Sequence, residues 1–152
     1  MNERRKSAAS VPTRVIEWSA AASIARAAVE AASRAGARVN VAVVDPSGQL
    51  AAFLRMPGAP LHSIDIAIDK AYTAASFGLP TSRWSKMLAR HSKSVREGLV
   101  LRPRFVAFGG GLPIVEGGAV IGAIGVSGGS EQQDERFARA GREILTTGGS
   151  SS

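Results

Sequence analysis

All but one of the connections between the strand-like segments of this sequence are too short to cross a sheet, and that limits the fold more than any composition does. VNVAVVD (39–45) and QLAAFLRM (49–56) flank Asp45-Pro46-Ser47-Gly48, with proline second and glycine fourth, as a type I turn prefers. RFVAF (104–108), LPIVE (112–116) and AVIGAIGV (119–126) are parted only by Gly109-Gly110-Gly111 and by Gly117-Gly118. Parallel neighbours need crossovers of about a dozen residues or more, so these strands pair as antiparallel hairpins and a doubly wound sheet is disfavoured.

Helical periodicity fills the gaps. From Trp18 to Ala35, Ala21, Ile24, Ala25, Ala28 and Ala32 recur at helical spacing and Gly36 supplies the stop. A second helix is expected from Ser63 to Phe77, ended by Gly78-Leu79-Pro80. Thr81 can cap a third, running to about His91. Ser130 opens a last helix to about Leu145, its Ser130-x-x-Gln133 reading as a capping box. The order α-β-β-α-α-β-β-β-α gives an α/β (α+β) fold, an antiparallel five-stranded sheet flanked by helices. Residues 1–13 read as a flexible basic tail, 14–147 as a single domain and 148–152 as a flexible C-terminal tail.

Composition narrows the classes. The chain has 152 residues, is 45% hydrophobic and carries no cysteine, which excludes disulfides, thiolate metal sites and cysteine nucleophiles. It shows neither a membrane-length apolar run nor the apolar core of an export signal, so a cytoplasmic protein is expected. The net charge is +7, concentrated between Arg83 and Arg104, where Arg83, Lys86, Arg90, Lys93, Arg96, Arg102 and Arg104 face only Glu97. Aromatics are scarce there and no nucleic-acid-binding spacing occurs, so the stretch argues for small anions or a solvated face.

Gly125-Val126-Ser127-Gly128-Gly129 fits G-x-S-x-G, but both histidines, His62 and His91, precede the serine, and the chain is small for a nucleophile-elbow fold. The same glycines before a helix can present free N–H groups to an anion, or can simply make a turn. Asp134, in the first helical turn, complements the helix dipole or serves as an acid beside that turn. Lys70 lies off the polar face of its helix, so its ammonium either snorkels or sits in a cleft where desolvation lowers its pKa. Arg55, at a strand end before Pro57-Gly58, can fork onto a carboxylate or stay solvated. The histidines suit surface or capping roles as well as ligation, and they show no metal-binding spacing.

AVVDPSGQLAAFLRMPGAPLHSIDIAIDKAYTAASFG (42–78) and GGLPIVEGGAVIGAIGVSGGSEQQDERFARAG (110–141) resemble the GlcG/HbpS family, which includes the C-terminal domain of PduO-type proteins. The resemblance implies a profilin-like domain and assembly into dimers or higher homo-oligomers. Some members of that family bind haem. Its recurrent polar positions match Asp45, Arg55, Lys70, Ser127 and Asp134. For haem iron the resemblance leaves His62 as the plausible ligand, with Met56 and Tyr72 as poorer choices.

Two functions follow from this reading. The first is a small-molecule-binding protein for haem or another anionic carboxylate ligand. Its ligand-binding set is Arg55, Met56, His62, Lys70, Ser127, Gly128, Gly129 and Asp134, with the basic stretch also receiving carboxylates. The alternative is an isomerase, tautomerase or hydratase for a small organic acid, in which Lys70 or Asp134 moves a proton and Arg55 holds a carboxylate.

Overall fold

The computed structural model describes residues 8–147, so the first seven residues of the expected N-terminal tail and all of the C-terminal one lie outside it. The elements are α1 (Trp18–Arg34), β1 (Asn40–Val44), β2 (Leu50–Arg55), α2 (Ser63–Phe77), a 3₁₀ turn (Thr81–Arg83), α3 (Trp84–Arg90), α4 (Lys93–Leu99), β3 (Gly111–Glu116), β4 (Ala119–Ser127) and α5 (Glu131–Thr147). The four strands form one antiparallel sheet in the order β2-β1-β4-β3.

The sheet is covered on both faces, because β1 and β4 point alternate side chains into two separate cores. Val41, Val43, Ile124 and Val126 pack with Ile24, Ala28 and Phe137 of α1 and α5. Ala42, Val44 and Ala123 pack with Ala67, Ala71 and Ala74 of α2. The second core is almost all alanine, and its small side chains let α2 lie very close to the sheet. Gly125 makes that approach possible: a Cβ there would sit 2.0 Å from the Ala67 carbonyl oxygen. The closeness fixes where Lys70 ends up.

Local signals are realised closely. Asp45 Oδ1 accepts from Ser47 N–H, Ser47 Oγ and Gln49 N–H, and Gly48 N–H closes the turn onto the Asp45 carbonyl at 3.0 Å. α2 spans the residues its pattern predicts and ends on Gly78 in the left-handed conformation. At α5 the capping box is formed: Gln133 N–H donates to Ser130 Oγ, and Ser130 N–H donates to Gln133 Oε1.

The expected fifth strand does not form. Residues 104–108 are irregular, and the sheet has four strands among the described residues. The cause is local competition for the backbone. Thr73 Oγ1 donates to the Arg104 carbonyl at 2.9 Å and accepts from Val106 N–H at 3.1 Å. Arg104 itself adopts φ +68°, which no strand allows. The third helix also divides, into the 3₁₀ turn and α3, and α4 follows where no helix is expected from the pattern. No helix of the described residues is long and apolar enough to cross a membrane.

Candidate functional site

Because α2 lies so close to β4, the Lys70 stem runs inward and its amine meets the end of the sheet. Lys70 is 1% exposed. Its Nζ donates to the Val126 carbonyl at 2.8 Å and to Asp134 Oδ2 at 3.0 Å, and lies 5.0 Å from the centre of the Phe108 ring. Gly110 shapes this recess, since a Cβ there would come 2.6 Å from Nζ. Burial pushes the Lys70 ammonium below the ordinary lysine range, opposed by the charge and hydrogen bond of Asp134 and, more weakly, by Glu131.

Asp134 is equally buried, and both of its oxygens are engaged. Oδ2 accepts from Lys70 Nζ, while Oδ1 accepts from Gly129 N–H at 2.9 Å. This alters the reading of the Gly-rich turn. The N–H groups of Gly129 and Ser130 are taken by Asp134 and Gln133, so the protein's own carboxylate fills the expected anion cradle. Ser127 is the last residue of β4, paired opposite Asn40 in β1, and does not stand on a sharp turn.

A surface cavity of 440 Å³ opens beside this pair. Its walls bring together His62, Lys70, Ser127, Gly128, Gly129 and Asp134 of the expected set. Pro60, Ile66 and Phe108 supply apolar surface, and Glu131 adds a carboxylate. His62 is the N-cap residue of α2 and is exposed. Its side chain makes no capping hydrogen bond, and no ion pair or ring contact with the described residues. It is therefore an imidazole free to take a ligand.

Three expected residues lie elsewhere. The Arg55 guanidinium bonds the Ala59 carbonyl at 2.9 Å and Asn40 Oδ1 at 3.3 Å, while Asn40 Nδ2 reaches the Pro60 carbonyl. Arg55 thus pins the 56–60 loop that leads to His62, rather than lining the cavity. Met56 turns its sulfur to the Val39 N–H at 3.4 Å. Tyr72 stacks under Arg104, its ring centre 3.7 Å from Cζ, and borders a different pocket. Sequence reasoning missed Phe108, Glu131 and Gly110. Three successive glycines were the available signal for the last of these, since a turn alone needs fewer.

The fold and the cavity define a small α+β domain with one buried lysine–aspartate pair and an open, histidine-bearing pocket at the sheet end. Residues 16–143 match the family described as haem degrading protein HbpS-like, and the chain belongs to that family. It is 37% identical to a 15.0 kDa protein from the dhaT–dhaS intergenic region of Citrobacter freundii, covering 86% of this chain and 92% of that one. It is 34% identical to the corrinoid adenosyltransferase PduO of Salmonella typhimurium over 82% of this chain, but spans only 37% of that protein. Among solved structures, HbpS of Streptomyces reticuli, crystallised as a double mutant, is 39% identical with a TM-score of 0.81, covering 90% of each chain. A PduOC:haem complex is 33% identical with a TM-score of 0.77, covering 84% of this chain and 93% of that one.

Proposed function

We propose that this protein binds haem in the 440 Å³ cavity, with His62 as the iron ligand. The observation that carries the reading is an exposed imidazole without an internal partner at the rim of a pocket that also holds Phe108, Ile66 and Pro60. Imidazole is a common ligand of haem iron, and apolar walls suit a porphyrin face. The family match and the haem complex of a relative support it.

The charge of the cavity refines this reading. Lys70 is its one lysine or arginine among the described residues, and its charge is spent on Asp134, with Glu131 adding a further negative group. A haem bound here would therefore turn its carboxylates to solvent, away from the Asp134 and Glu131 end of the cavity. When bound, haem would supply iron for ligand exchange or redox chemistry. His62 would orient it, and the buried pair would keep the turn at Gly129 rigid behind it.

Titration with haemin tests the proposal. The wild type is expected to give a saturable Soret shift that His62→Ala loses, while Met56→Leu and Tyr72→Phe keep it. An unchanged spectrum and affinity in His62→Ala would overturn the assignment.

A second reading, proton transfer on a small organic acid, has one observation in its favour: an amine with a lowered pKa borders the cavity. It lacks a carboxylate clamp, because Arg55 is committed to the loop, and Asp134 has no uncommitted oxygen. The haem reading also carries a cytoplasmic homo-oligomer built on a profilin-like domain at 14–147. Exposed Leu50 and Leu54 on the edge strand β2 support self-association, which sedimentation measures directly.

A further inference from the structure

The first half of α2 walls the His62 cavity, and its last turns wall another pocket that this function leaves unused. This one holds 240 Å³ and lies between α2 and the 99–105 segment. Its surface is chiefly aromatic and aliphatic: Tyr72, Phe77, Leu99 and Phe105. Phe77 is 46% exposed, although its ring packs in T-shaped geometry against Trp84 at 4.6 Å and Phe105 at 6.1 Å.

The loop that closes the pocket is held in a costly shape. Arg104 is the one non-glycine residue with positive φ among the described residues, a conformation disfavoured for any side chain. Four contacts impose it. Nε donates to Asp69 Oδ1 at 3.1 Å, and the guanidinium stacks on Tyr72. Thr73 holds the backbone on both sides of Phe105. Tyr72 is fixed in turn by the hairpin, since a Cβ at Gly48 would lie 2.5 Å from its Cδ2.

The charges identify the ligand. Arg104 is balanced by Asp69, whereas the exposed Arg102 side chain has no ion pair or hydrogen bond with the described residues. One uncompensated guanidinium therefore stands at the mouth of a rigid aromatic pocket. We propose that this pocket binds a small planar aromatic monocarboxylate, its ring against Phe77 and Phe105 and its carboxylate on Arg102. The volume lies below the ~300–1,000 Å³ typical of pockets for drug-sized ligands, so one ring suits it and a porphyrin does not. With Arg104 paired to Asp69, a single free guanidinium matches one negative charge rather than a dianion or a polyphosphate.

The test is a benzoate titration of the whole protein, followed by calorimetry and by the NMR signal of the Trp84 indole N–H. Benzoate is expected to bind saturably and to shift Trp84 rather than Trp18. Its uncharged isostere benzamide should bind about tenfold more weakly, the loss expected for a charged hydrogen bond. Arg102→Gln should bring benzoate down to the benzamide level and leave benzamide unchanged. The same variant should retain the haem-induced Soret shift, so the two proposals fail separately. Absence of saturable benzoate binding, or equal benzoate affinity in Arg102→Gln and wild type, would overturn the inference.

Discussion

Replacing Asp134 with asparagine removes the counter-charge of a buried lysine while preserving shape. At 3.0 Å the gross attraction between Lys70 and Asp134 is about 5 kcal/mol at an effective dielectric of ~20. Part of that offsets the cost of desolvating both groups, and breaking one side of such a pair costs about 3–5 kcal/mol net. The introduced amide oxygen can still accept from Gly129 N–H, so the loss falls on the Lys70 side. Its sign with pH is fixed by the direction of the lysine shift. The folded-state pKa is depressed, so between that value and the ordinary 10.5 the unfolded chain holds a proton the folded chain lacks, and stability rises with pH. Asp134→Asn depresses the pKa further and widens this window, so its deficit should be largest near neutrality and shrink toward alkaline pH. Urea unfolding at several pH values measures this through the midpoint at constant m. Lys70→Met should cost a similar amount by stranding Asp134, whereas the double variant should cost about 1–3 kcal/mol less than the sum of the singles. Additive single effects, or a deficit that grows with pH, would refute the argument that the pair acts as one buried unit.

Gly125→Ala should destabilise by more than about 3 kcal/mol or prevent folding, because the new methyl meets the Ala67 carbonyl on a helix that cannot retreat. Gly98→Ala is the opposite case: within α4 and with nothing within 4 Å of the added methyl, it should stabilise by roughly 0.4–1 kcal/mol in the same urea assay. Ser130→Ala should cost about 1 kcal/mol by removing the acceptor for Gln133 N–H. For Asp45, burial raises the pKa, but the hydrogen bonds from the Ser47 hydroxyl and from the turn N–H groups together outweigh it and hold the carboxyl below its usual range. The stability it contributes is present above its unfolded pKa and lost as pH falls through the lowered one, so Asp45→Asn should flatten the acid limb of the stability profile below about pH 4.

What the sequence could report was local. The hairpin at Asp45–Gly48, the limits of α2 and the Ser130–Gln133 box each depend on residues within a few positions, and each forms as expected. Lys70 is conspicuous because it lies off its helix's polar face, yet its partner stands 64 positions away, and periodicity on one helix carries no information about that. The strand expected at 104–108 fails for a related reason. Its pattern is strand-like, but Thr73 and Asp69, on another element, take its backbone and its arginine. The anion cradle at Gly128-Gly129 is legible as a cradle. That Asp134 fills it, through Gly129 N–H five positions back, is a choice between an internal and an external anion that the glycine pattern leaves open.

The strand order also bears on how the molecule can assemble and change. Each outer strand pairs with the strand next to it in sequence, so the two hairpins can zip locally. The central seam between β1 and β4 joins residues roughly 80 positions apart, making it the slow, entropically demanding closure of this topology. The intervening chain, including α2, α3 and an α4 whose residues are all exposed except Leu99, forms that closure loop. Doubling the length of such a loop costs only ~0.6 kcal/mol. The exposed run from Lys93 to Gly98 is therefore where insertions can accumulate while the sheet and the Lys70 recess stay intact.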